Sequence, residues 1–310
     1  MQLATFVVPT TGMVATGAVE SGTVRLIGPG SLGDRLRAQL ALKPAPDAPV
    51  YPLNALRLLA PVPEPPSVRD FYAFEQHVRA ARKLRGLEMS PTFYELPVFY
   101  FSNPAAIFGP DAVIPMAPGT QELDFELEIG LVIGRGGRNI PVERAWEHVL
   151  GLTIMNDWSA RDLQRQEMKL NLGPAKGKDF ATSIGPWLVT LDELRDRLEK
   201  DRHDLTMVAR VNRRELSRGN VKDAYWSFPQ MIAHASRGAT LRPGDLIGSG
   251  TVGTGCILER RPENTGGWLK PGDEVECEIE RLGILRNRIA APDESYHLLP
   301  DPNAPDTVAD

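Results

Sequence analysis

Several things are scarce in this chain of 310 residues. It has two cysteines, Cys256 and Cys277, which lie 21 positions apart in apolar-alternating segments. Two cysteines cannot build a Cys-rich zinc site, and their setting reads as reduced packing thiols rather than a disulfide. No apolar run approaches the ~18 residues of a spanning helix, and Pro9 interrupts the apolar start, which also lacks the positive segment of an export signal. These features lead us to expect a cytoplasmic protein with no membrane partner. No basic block occurs, and Lys plus Arg total 35 against 40 Asp plus Glu, a net charge of −5. That balance excludes an electrostatic nucleic-acid binder.

The chain is rich in residues that turn it. Glycine (28) and proline (27) make up 55 of the 310 residues, about 18% against an average near 12%, which favours many short strands over a helical bundle. Three regions are expected: a small strand-dominated unit over 1–62, a main domain over 63–299, and a loose tail over 300–310. Pro61-Val-Pro-Glu-Pro-Pro66 marks the first boundary as a stiff connector.

The spacing of Phe71, Phe74, Val78 and Ala81 predicts a helix capped by Asp70. Ser159 with Asp162 predicts another, through a capping box. Short helices are expected over 143–149 and 192–200, and strands over 96–101, 125–133, 152–155, 205–211 and 274–280. Strand runs with a few inserted helices indicate an α+β, β-rich fold rather than a doubly wound sheet. Gly134-Arg-Gly-Gly137 lacks the third glycine of a dinucleotide fingerprint. Gly173-Pro-Ala-Lys-Gly-Lys178 is one residue short of a phosphate loop, with Asp179 where Ser or Thr is needed.

The most informative stretch is Asp124-Phe-Glu126-Leu-Glu128-Ile-Gly130, followed by Leu131-Val-Ile133. On a strand, Glu126 and Glu128 share one face and Phe125, Leu127 and Ile129 the other. Two carboxylates 5 Å apart at an effective dielectric near 20 repel by roughly 3 kcal/mol. They need a proton or a cation, unless the face is solvated; Glu274, Glu276, Glu278 and Glu280 read as such a solvated face. Asp157 stands where the apolar strand ending at Met155 gives way to the next helix. Arg161, Gln164 and Met168 share one helical face beyond it.

Asp70-Phe-Tyr72 with His77, Glu126-x-Glu128, Met155-Asn-Asp157-Trp-Ser-Ala-Arg161-Asp-x-Gln164 and Gly177-Lys178-x-Phe-x-Thr182 together resemble the fumarylacetoacetate hydrolase family, over about residues 66–298. The resemblance implies a mixed β-sandwich roll with a small N-terminal β domain, a homodimer, and a small β-diketo acid as substrate. It implies a divalent cation (Mg²⁺ or Ca²⁺, with Mn²⁺ as a further candidate) held by Asp70, Glu126, Glu128 and Asp157, an all-oxygen set unlike that of zinc. It implies His77 as the base that activates water, with Glu259 holding its imidazole. Arg161, Gln164 and Lys178 are then oxyanion donors, while Tyr72, Tyr100, Gln164 and Thr251 contact substrate. Lys178 and Thr182 are expected beside the cation or at a second one.

The implied reaction is hydrolysis of a carbon–carbon bond, as in fumarylacetoacetate at the end of tyrosine breakdown. Residue 80 is alanine, so the His-x-x-Glu pair of the family's lid-bearing branch (acylpyruvases and oxaloacetate decarboxylases) is missing, which favours the fumarylacetoacetase-like branch. Met168 stands where that branch has a tyrosine, and the loop from Thr251 to Glu259 is shorter, so the acyl group need not be fumaryl. The alternatives are acylpyruvate hydrolysis, oxaloacetate decarboxylation, hydroxymuconate-type isomerisation, and a metal-stabilised binding protein without turnover.

Overall fold

Two large sheets dominate the computed structural model, which describes residues 1–293; the expected tail at 300–310 lies outside the described residues. The fold is α+β and rich in strands. Twelve strands form one mixed sheet. One end of it runs in the order Thr182–Thr190, Val149–Asp157, Leu127–Ile133, Leu246–Gly248, Val68–Phe71 and Phe99–Ser102. The second sheet has five strands, among them Thr206–Val211, Glu274–Ile279 and Gly283–Ile289.

Alternation along Leu127–Ile133 fixes how the sheets meet. Leu127, Ile129, Leu131 and Ile133 enter a core shared with Met207, Ala209, Val275, Cys277 and Ile279 of the second sheet. Val132 points the other way, into a smaller core with Val68, Met155 and Leu246. Glu128 has the parity of Val132, Asp70 that of Val68, and Asp157 that of Met155, so all three acids project from one face of the large sheet. On the second sheet, Val275, Cys277 and Ile279 turn inward. Glu276 and Glu278 alternate with them and pair with Arg286 (2.7 Å) and Arg210 (2.6 Å).

Residues 1–62 form the strands expected of them, and these continue the large sheet: Gln2 pairs with Val189 and Leu3 with Leu188. The Pro-rich segment is packed down, with Val62 fully buried beside Leu3 and Leu32. Thr5 Oγ1 donates to the Pro61 carbonyl at 2.7 Å.

Two helix starts differ from expectation. Asp70 and Phe71 end a strand, Val68–Phe71, and the helix begins later, at Glu75–Leu84, with Phe74 at its cap and no side-chain cap bond. Ser159 and Ala160 are also in a strand, and the helix is Arg161–Glu167. Asp162 does not close a capping box; its carboxylate accepts from Thr120 Oγ1 (2.6 Å) and the Gln121 N–H (2.8 Å). The short helices expected at 143–149 and 192–200 are 3₁₀ turns, Val142–His148 and Leu191–Arg197. Among the described residues no helix is long and apolar enough to cross a membrane.

Candidate active site

Asp70, Glu128 and Asp157 come from three strands that end at the same edge of the large sheet, and their oxygens lie within 4.8 Å of one another. The strand between Glu128 and Asp70 contributes Gly248. A Cβ there would stand 2.5 Å from Asp70 Oδ1, so glycine is what lets Asp70 reach toward Glu128. The next turn contains Gly250 at φ +79°, a backbone shape that favours glycine. Its N–H donates to Asp70 Oδ1 (3.2 Å) and Glu128 Oε2 (3.1 Å).

Burial pushes the Asp70 and Glu128 carboxyls well above the usual carboxylate range, Asp157 adding to the effect on Asp70 and Asp70 to that on Glu128. Burial raises Asp157 too, against the pull of Lys178. Such crowding is relieved by a cation. Glu128 Oε1 and Asp157 Oδ1 are buried and have no hydrogen-bond partner among the described residues. Two orphaned carboxylate oxygens in an all-oxygen cluster fit a hard divalent ion such as Mg²⁺, Mn²⁺ or Ca²⁺.

Glu126 sits one residue before the strand, and its oxygens are taken by cationic side chains. Oε1 faces Arg161 Nη2 at 2.7 Å and Oε2 accepts from Lys178 Nζ at 2.6 Å. Burial acts to raise its pKa, but Lys178 and Arg161 outweigh it and hold the carboxyl below its usual range. Glu126 therefore stands beside the three-acid cluster rather than inside it. Lys178 also donates to Asp157 Oδ2 and Ser159 Oγ, both at 2.6 Å. Desolvation works against its charge, yet Asp157 and Glu126 keep the ammonium above its ordinary pKa. Thr182 Oγ1 lies 3.4 Å from Ser102 Oγ.

His77 and Glu259 are in contact: Nδ1 lies 2.5 Å from Glu259 Oε1, with both side chains buried. Glu259 Oε2 accepts from the Thr254 N–H at 3.0 Å. His77 lies close enough to Glu126 to help hold that carboxylate ionised. Tyr72 packs edge-on to the His77 ring, with centroids 5.4 Å apart. Tyr100 donates its hydroxyl to Asp157 Oδ2 at 2.6 Å. Arg161 Nη1 donates to Gln164 Oε1 at 3.1 Å. Thr251 is buried just after Gly250.

One residue of the site escapes sequence reasoning. Asp124 is fully buried, and Arg161 Nε donates to its Oδ2 at 2.8 Å. It also receives the N–H groups of Ile257 (2.8 Å) and Leu258 (3.0 Å). Cys256 is adjacent, its Sγ 3.7 Å from Glu259 Oε1; both cysteines are free and buried.

A cluster of buried acids beside a histidine–glutamate pair, at one end of a two-sheet fold, defines the kind of site. The chain belongs to the fumarylacetoacetate hydrolase family, whose sequence model, described as fumarylacetoacetate (FAA) hydrolase C-terminal, matches residues 67–290. It is 32% identical over 265 residues to a fumarylacetoacetase of Arabidopsis thaliana, covering 66% of this chain but only 63% of that relative's length. It is 32% identical over 251 residues to the human mitochondrial oxaloacetate tautomerase FAHD2A, covering 79% of this chain and 73% of that one. The crystal structure of 5-carboxymethyl-2-hydroxymuconate delta-isomerase from Mycobacterium smegmatis aligns with a TM-score of 0.72 at 28% identity. That match covers 94% of this chain and 99% of the isomerase. Hydrolase, tautomerase and isomerase thus occur among proteins similar to this one, and membership of the family alone does not select between them.

Proposed function

We propose that this chain is a divalent-cation-dependent hydrolase that cleaves a carbon–carbon bond in a small β-diketo acid, working as a homodimer in the cytoplasm. Asp70, Glu128 and Asp157 would hold the cation, while Glu126 stays paired with Arg161 and Lys178 beside them. When bound, the cation supplies a Lewis acid that polarises the substrate's carbonyl oxygens.

The observation that carries the reading is the buried contact between His77 Nδ1 and Glu259 Oε1. With Glu259 accepting from Nδ1, the ring is fixed in the tautomer that leaves Nε2 free to take a proton from water. Among the described residues Nε2 has no hydrogen-bond partner. The water oxygen bonds to the attacked carbonyl carbon, the bond from that carbon to its neighbour breaks, and the proton on Nε2 passes to the departing carbon. Arg161, Lys178 and Gln164 surround the place where negative charge develops, each such donor being worth on the order of 10²–10³ in rate. Tyr72 and Tyr100 orient the acid, and Thr251 lies beside them.

Isomerisation or tautomerisation is the second reading. It is supported by the length of the match to the isomerase structure, 99% of that chain. In that case His77 shuttles a proton between two substrate atoms and no bond to water forms. Purified protein with Mg²⁺ or Mn²⁺, offered fumarylacetoacetate, acylpyruvates and oxaloacetate, separates the two by product analysis. The expected result is cleavage products from a β-diketo acid, lost in His77→Ala with cation affinity nearly intact. Hydrolysis that survives His77→Ala overturns the role of the base; keto–enol interconversion without cleavage selects the second reading.

A further inference from the structure

We propose that Asp124 is a positioning residue that sets the His77–Glu259 pair in register with Arg161. The inference rests on the reading above in which His77 moves the proton. Three observations carry it. Asp124 is fully buried, and besides the N–H of the adjacent Phe125 (2.8 Å) its partners come from two distant parts of the chain. On one side Arg161 approaches Oδ2 through Nε and Nη2, each at 2.8 Å. On the other, the Ile257 and Leu258 N–H groups donate to Oδ1 and Oδ2 at 2.8 and 3.0 Å. Those two residues open the short helix Ile257–Arg260, which carries Glu259.

A helix of one turn has no rigidity of its own, because its first N–H groups lack partners within it. Here one carboxylate supplies two of those partners. The same carboxylate aims the guanidinium whose other contacts are Glu126 Oε1 and Gln164 Oε1. Rotation of Asp124 would therefore shift Glu259, and with it His77, while also releasing Arg161. The proton-moving group and the charge-stabilising group lie on separate elements, and Asp124 is bonded to both. A displacement of about 1 Å in such a pair costs on the order of 10²-fold in rate.

Asp124→Asn tests this, since the amide keeps the size but puts an N–H₂ against the donors of Arg161 or Leu258. In the full-length, cation-loaded enzyme, kcat should fall about 10²-fold with KM changed far less. The second readout needs no substrate. The imidazole proton shared by His77 and Glu259 gives a downfield NMR resonance, assigned by its loss in Glu259→Gln. It should move or broaden in Asp124→Asn. Ser31→Ala, which removes the cap of the helix Leu32–Arg37 in the N-terminal unit, serves as the control for lowered stability and should leave resonance and kcat alone. If the Asn variant fails to fold, Asp124→Ser retains an acceptor for the helix N–H groups and is measured in its place. An unchanged resonance and kcat, or equal changes in the Ser31 control, overturns the proposal. A shifted resonance in an enzyme whose turnover survives His77→Ala overturns the reading of His77 and leaves the positioning role standing.

Discussion

His203 shows what an unshared histidine does in this fold. It is 2% exposed, packs edge-on against Trp146 with centroids 5.3 Å apart, and its Nδ1 has no hydrogen-bond partner among the described residues. Burial lowers its pKa from 6.5 to about 4. The neutral form is thus the one the folded state accepts, while the unfolded chain protonates near pH 6.5. Its contribution to stability is complete above about pH 6.5 and is lost as pH falls toward 4, roughly 3 kcal/mol over the whole window. Denaturant unfolding of the wild type and His203→Phe across that range measures it. The variant should lose less stability on acidification, whatever its stability at neutral pH. Parallel curves would mean that His203 titrates alike in both states. His77 differs from His203 in having a carboxylate on Nδ1, that of Glu259, which the family resemblance implies as its partner.

At the scale of elements, the turn after Leu246–Gly248 is the most constrained piece of the site. A Cβ on Gly250 would lie 2.4 Å from the Phe71 carbonyl oxygen, at a φ of +79°. Gly250→Ala should cost on the order of 1–3 kcal/mol from backbone strain alone. It should also weaken Mn²⁺ binding, because the Gly250 N–H orients both Asp70 and Glu128. Calorimetric Mn²⁺ titration beside denaturant unfolding tests both, and unaltered Mn²⁺ affinity would show that the N–H does not hold the ligands. Elements of this kind were unevenly legible. The alternation through Phe125–Ile133 was visible because opposite faces of that strand enter different surroundings. The strand Val68–Phe71 was hidden because all four residues are buried, so Phe71 joined a helical stripe with Phe74 and Val78. Ser159 and Asp162 have capping spacing, but Lys178 and Thr120 take their side chains. Asp124 gave no signal, since Arg161, Ile257 and Leu258 stand 37, 133 and 134 residues away.

Over the whole molecule, the sheet order converts four distant acids into two environments. Among the described residues, Glu128 and Asp157 keep buried oxygens without partners and Asp70 lies close to their like charge, whereas Glu126 is neutralised by Arg161 and Lys178. The sequence motifs assigned all four to one cation; which of them has oxygens to spare depends on where Lys178 folds back, and a loop's return is not written in strand periodicity. The native state therefore gathers charge that the unfolded chain keeps apart, and under the proposed function a divalent ion would bind the former only. Such an ion stabilises by about 2.7 kcal/mol at a hundred times its Kd. Chelator treatment should lower the thermal midpoint, and Mg²⁺ or Mn²⁺ should restore it in proportion to the logarithm of concentration. The two environments make a sharper claim. Glu128→Gln should remove most of that cation-dependent rise, because Oε1 is free for the ion. Glu126→Gln should retain much of the rise while losing its pairing with Lys178 and Arg161. Thermal scans of wild type and both variants over a Mn²⁺ series decide it: a larger loss in Glu126→Gln than in Glu128→Gln would place the ion on the other side of Lys178.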